Sequence, residues 1–68
     1  MMIPKKELIY NFLKENKGKR YSCVELSKEL KISYATILKW VEVLSAENKI
    51  RIADYGNLKQ VWIDGNEE

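Results

Sequence analysis

The 68-residue chain carries few of the groups that perform covalent chemistry. It has no histidine and one cysteine, Cys23. An internal disulfide is therefore excluded, and a Cys/His zinc site, which needs several thiolate or imidazole ligands, is all but excluded. Cys23 reads as a small residue in the first turn of a helix, and a reduced, cytoplasmic setting is expected. No phosphate-binding glycine loop is present. Asp54, Asp64, Glu67 and Glu68 are expected to sit too far apart, in mobile positions, for a working carboxylate pair. No enzymatic activity, catalytic residue, metal or cofactor is expected.

What remains is ionic and steric chemistry. The formal charge is +2, but it is unevenly spread. Residues 1–22 hold six bases (Lys5, Lys6, Lys14, Lys17, Lys19 and Arg20) against Glu7 and Glu15, a local charge of +4. The remainder holds six bases and eight acids, a charge of −2, with Glu67 and Glu68 supplying that excess. The basic footprint therefore belongs to the first helix and the turn after it.

The elements that must position these groups are legible. A chain of this size is one domain with a small core, here residues 1–64 followed by a polar, frayed tail at 65–68. Apolar residues make up 46% and charged residues 32%, a globular composition. No apolar run approaches the ~20 residues of a membrane span, and "MMIPKKELIY" lacks the pattern of a signal peptide. Pro4 suits the first position of a helix, and Leu8, Ile9, Phe12 and Leu13 follow at helical spacing. Gly18 can take a left-handed cap, and Arg20 and Tyr21 are expected to be extended. Ser22 to Glu25 is an S-x-x-E capping box, which starts a second helix near Cys23 with Val24, Leu26 and Leu30 as its apolar residues. That helix ends around Lys31. Ser33 caps a third helix from Tyr34 to about Asn48. Ile37, Val41 and Leu44 form its core stripe, and Ala35, Thr36, Lys39, Val43 and Ala46 lie broadly opposite, a face unusually small and uncharged for a solvated one. "KIRIADYGNLKQVWID" reads as a hairpin turning at Gly56-Asn57. That turn sets Tyr55 opposite Leu58, Asp54 opposite Lys59, Ile52 opposite Val61 and Ile50 opposite Ile63, with Arg51, Ala53, Gln60 and Trp62 on the other face. The expected core is Leu8, Phe12, Leu26, Leu30, Ile32, Ile37, Val41, Leu44, Ile50, Ile52, Val61 and Ile63.

The order helix, short strand, helix, helix, hairpin resembles a winged helix-turn-helix domain over roughly residues 5–64. The most specific stretch is "VELSKELKISYATILKWVEVLSAENKIRI". Leu26 and Leu30 anchor helix two, Ile32 plugs the turn, Ser33 caps helix three, and Ile37, Val41 and Leu44 seat it. The chain departs from the family in carrying Ser27 where Ala is frequent, and Lys31 and Asn48 where Gly is frequent. Lys31 would then need a left-handed backbone, at about 1 kcal/mol or a little more, whereas Asn tolerates that conformation. The resemblance implies an α+β fold, mainly α with a small antiparallel sheet: a three-helix winged helix-turn-helix of order α-β-α-α-β-β.

It also implies double-stranded DNA as the leading partner, in a transcription regulator or DNA-binding module. Helix 34–48 would lie in the major groove and hairpin 50–64 would act as the wing. Carried over position by position, this nominates Ser33, Tyr34, Ala35, Thr36, Lys39 and Trp40 on the helix, Tyr55, Asn57 and Lys59 on the wing, and Lys17, Lys19 and Arg20 as a backbone clamp. Tyr34 and Trp40 also border the core stripe, and the register sets Lys59 against Asp54. Glu42 and Glu47 offset Lys39 and Lys49, and the exposed face of helix three has no arginine for guanine. A single domain with so few bases should bind weakly, so a weak or DNA-induced homodimer, or a tether to a larger protein, is expected. A second reading is a protein-docking winged helix that uses the Arg51/Trp62 face, because such residues are favoured interface anchors.

Overall fold

Helix α1 (Lys5–Glu15) starts from Pro4, whose carbonyl accepts hydrogen bonds from the N–H groups of Glu7 and Leu8, both at 3.0 Å. Proline is thus the cap itself, one position earlier than its spacing suggested. The computed structural model describes residues 3–64; the tail expected at 65–68 lies outside them. The buried stripe of α1 is Ile9 and Leu13, while Leu8 and Phe12 are half-buried. Both pairs satisfy the i, i+4 spacing, and the helix is turned by one residue from the expected face. Phe12 instead meets the Tyr21 ring at the rim, with centroids 5.0 Å apart. Asn16 closes the helix by donating from Nδ2 to the Phe12 carbonyl at 2.7 Å.

Strand β1 (Tyr21–Ser22) leads directly into α2 (Cys23–Leu30). The capping box is complete: Glu25 N–H donates to Ser22 Oγ at 3.1 Å, and Ser22 N–H donates to Glu25 Oε1 at 2.9 Å. Leu26 and Cys23 are buried and Leu30 is half-buried, but Val24 is 48% exposed and takes no part in the core. The helix ends at Lys31, which has the left-handed backbone expected of it (φ 57°, ψ 42°). The N–H groups of Lys31 and Ile32 both donate to the Ser27 carbonyl, and the Ser27 hydroxyl donates to the Ile32 carbonyl at 2.7 Å. Ser27 therefore clasps the turn in which Lys31 takes its left-handed backbone.

Helix α3 (Tyr34–Ala46) is capped by Ser33, whose Oγ accepts from Thr36 N–H at 3.3 Å. It stops two residues before the expected Asn48, which is itself left-handed at φ 63°. Lys49 N–H reaches back to the Leu44 carbonyl at 3.0 Å and seals the end.

Strands β2 (Arg51–Asp54) and β3 (Lys59–Trp62) form the expected hairpin. Arg51 pairs with Trp62, Ile52 with Val61, Ala53 with Gln60 and Asp54 with Lys59. Tyr55 N–H donates to the Leu58 carbonyl at 2.8 Å across the turn, and Gly56 supplies the positive φ (90°) that the turn requires. The sheet order is β1-β3-β2, all antiparallel, with Tyr21 opposite Val61. The fold is α+β with element order α-β-α-α-β-β. Ile9, Leu13, Leu26, Ile37, Val41, Leu44, Ile50, Val61 and Ile63 meet in one core, joined by Ile32 and Cys23, with Ile52 half-buried at its edge.

Candidate nucleic-acid interface

The outward side of α3 presents two neighbouring rows. Ala35 and Lys39 make one, and Thr36 and Trp40 the other, each pair one turn apart. Ser33, Tyr34, Ala35 and Lys39 are exposed, and Thr36 and Trp40 are half-buried. The Ser33 hydroxyl donates to Thr36 Oγ1 at 2.8 Å, so the first turn is held by two bonds from one residue. The Lys39 ammonium lies 4.8 Å from the Trp40 ring centroid, a cation–π distance that draws the charge toward the Thr36 row.

Beside that row runs an open groove of about 520 Å³, lined by Ile3, Pro4, Lys5, Thr36 and Trp40. The start of α1 thus borders the outward side of α3. Lys5 was no candidate in the sequence, because nothing local ties residue 5 to residues 36 and 40.

Tyr55 and Asn57 are exposed at the tip of the β2–β3 hairpin. Lys59 stands opposite Asp54 in register, but its charge partner is different. Its Nζ lies 3.5 Å from Glu42 Oε2 on α3. Asp54 Oδ1 instead accepts the Gly56 N–H at 2.9 Å, bracing the hairpin turn.

The 17–20 turn lies elsewhere. Gly18 N–H donates to the Ile63 carbonyl at 2.8 Å, just beyond the end of β3 that is remote from the hairpin tip. Five residues of strand separate positions 58 and 63, about 17 Å at a strand's rise. Lys17, Lys19 and Arg20 are exposed there. Arg20 Cζ lies 4.1 Å from the Trp62 ring centroid and Lys19 Nζ 6.0 Å from that of Tyr21. The nominated residues therefore fall into two groups, α3 with the hairpin tip, and the 17–20 turn at the far end of the sheet.

The Arg51/Trp62 face is less open than its composition suggested. Trp62 is half-buried, and its Nε1 donates to Asp64 Oδ1 at 3.3 Å. Arg51 Nε donates to Asp64 Oδ2 at 2.9 Å, and Arg20 covers the indole. A second cavity, about 320 Å³, is lined by Asn48, Lys49, Ile50, Arg51, Ile63 and Asp64 at that same end.

Among the described residues two titrating groups are shifted. Burial raises the Cys23 thiol above its ordinary value, partly offset by the Lys59 charge, so the thiol is protonated and inert at neutral pH. The Lys6 hydrogen bond, at 2.9 Å, is the main cause holding the Glu47 carboxyl below its ordinary value, with Lys49 adding to it.

Among the described residues no cluster of His, Cys, Asp or Glu could hold a metal ion, and no helix is long and apolar enough to cross a membrane. No family model, curated protein or solved structure matches the chain.

Proposed function

We propose that the chain is a winged-helix DNA-binding module, acting as a transcription regulator or as the DNA-binding part of one. In this reading α3 enters the major groove and the β2–β3 hairpin serves as the wing. One observation carries it: Ser33, Tyr34, Ala35 and Lys39 stand exposed on a capped helix, with the short side chains of Ala35 and Thr36 side by side on its outward face. A helix about 10–12 Å across fits a major groove of about 12 Å only closely, so short side chains at the contact let it seat. Ala35 and the Thr36 methyl suit contact with a thymine methyl, the Thr36 hydroxyl suits a base edge or phosphate, and Lys39 suits a phosphate or guanine. Glu42, the acid nearest Ala35 around the helix, is turned toward Lys59 rather than left to repel phosphate.

The protein-docking reading has less support. Its main anchor, Trp62, is covered by Arg20 and hydrogen-bonded through Asp64.

Titrating isotope-labelled protein with generic duplex DNA tests the proposal. Amide shifts should concentrate at residues 33–40 and 55–59. Shifts confined to the Trp62 side, or none at low salt, would reject it.

A further inference from the structure

We infer that the groove between the start of α1 and α3 receives one sugar–phosphate strand of the duplex, with Lys5 as a phosphate contact. The inference rests on the DNA reading of α3 and extends it to a second element.

The lining sets the kind of occupant. Ile3, Pro4 and Trp40 supply apolar surface, and Thr36 supplies a hydroxyl. Lys5 is part of the lining, and the Lys39 ammonium lies 4.8 Å from the ring centroid of Trp40, another lining residue. Among the described residues no carboxylate lines the groove. The nearest acid on α1, Glu7, is two residues past Lys5, about 200° around the helix, and so faces away. A ligand that is anionic at regular intervals and apolar between them matches this surface, and a deoxyribose–phosphate chain is such a ligand.

The two adjacent lysines have different tasks. Lys6 is paired with Glu47 at 2.9 Å and ties α1 to the end of α3. Lys5, about 100° away on the helix, has no ion-pair partner among the described residues. Its charge therefore stays available beside α3, whereas the basic turn at 17–20 is a helix-length away. Ten residues of α1 separate Lys5 from Glu15, about 15 Å.

The test is a salt series with two duplexes of unrelated sequence, using the intact chain and its Lys5→Gln, Lys5→Arg and Lys14→Gln variants. Lys14, in the last turn of α1, reports the effect of removing one charge remote from the groove. Lys5→Gln should make the slope of log K against log salt shallower by about one and weaken both duplexes by the same factor. Lys5→Arg should restore the slope, and Lys14→Gln should leave it unchanged. An unchanged slope for Lys5→Gln, alongside a shallower one for Lys39→Gln, would overturn the groove assignment and leave the role of α3 standing. A Lys14→Gln effect as large as that of Lys5→Gln would reduce the contribution of Lys5 to bulk charge and overturn the assignment too. Failure of the unaltered chain to bind either duplex at low salt would overturn both.

Discussion

Lys59 on the central strand reaches Glu42 on α3, Nζ to Oε2 at 3.5 Å, rather than the Asp54 that faces it across the hairpin. The pair joins the proposed wing to the proposed reading helix, and it holds a cation and an anion at the edge of the same surface. Such a partly exposed pair contributes at most about 1 kcal/mol to stability. Its effect on binding should be larger, because phosphate must compete with Glu42 for Lys59. Glu42→Gln should therefore tighten duplex binding and steepen the salt slope by about one, while leaving the thermal midpoint nearly unchanged. Equal or weaker binding by that variant would contradict the competition.

The rotated face of α1 gives a stability prediction. Ile9→Ala and Leu44→Ala should each cost about 2–5 kcal/mol, as truncation of fully buried residues does. Leu8→Ala, at a half-buried position, should cost about 1 kcal/mol or less. Urea unfolding of the three variants measures this, and equal losses at positions 8 and 9 would contradict the packing.

Glu47 predicts a pH dependence. Its carboxyl is held below the ordinary value in the folded chain, chiefly by Lys6, so the unfolded chain binds the proton more readily. The resulting stability is fully present above the unfolded value and is lost as pH falls through the lowered folded one. Glu47→Gln should flatten stability against pH across that acidic window and leave the slope at neutral pH unchanged. Because the group is solvent-exposed, the flattening should be small and should shrink further in high salt.

The split of the basic residues bears on assembly. With the 17–20 turn at the far end of the sheet, one protomer offers Lys5, Lys39 and a released Lys59 near the proposed groove. Its salt slope should then be no steeper than roughly −2 to −3. Useful affinity at physiological salt needs a second copy or a tether. Sedimentation should find a monomer alone and two copies on a duplex carrying paired half-sites. A tight dimer without DNA would reject weak association, and a monomer that binds tightly at physiological salt would reject the need for a partner.

Features governed by neighbours in sequence were legible beforehand. The Ser22 capping box, the Ser33 cap and the Ile52–Val61 register are each set by a few adjacent residues, whereas the left-handed Lys31 and Asn48 followed from the resemblance, in which Gly is frequent at those positions. Features that depend on how elements meet were not. Positions 8 and 12 satisfy helical spacing as well as 9 and 13, and only packing against the other helices and the sheet decides between them. The Asp54–Lys59 register was right while the ionic partner was not, because Glu42 comes from another element and Asp54 serves its own turn. The same holds for the candidate site. The residues on α3 formed one patch because one helix carries them, whereas Lys5 joined it and the 17–20 turn left it through tertiary placement.

The place of β3 between β1 and β2 also sets the order in which the molecule can be made. Tyr21 and Val61 pair across forty positions, and β1 never touches β2 in the ladder. The helices and the hairpin close over short loops, but β1 must wait for the strand encoded last among the described elements. Closing a loop of that length costs more entropy than closing the short helix and hairpin loops, by about 0.6 kcal/mol for each doubling. A chain emerging from the ribosome would hold β1 unpaired until residues 59–62 are free, with its edge open to other chains in the interval.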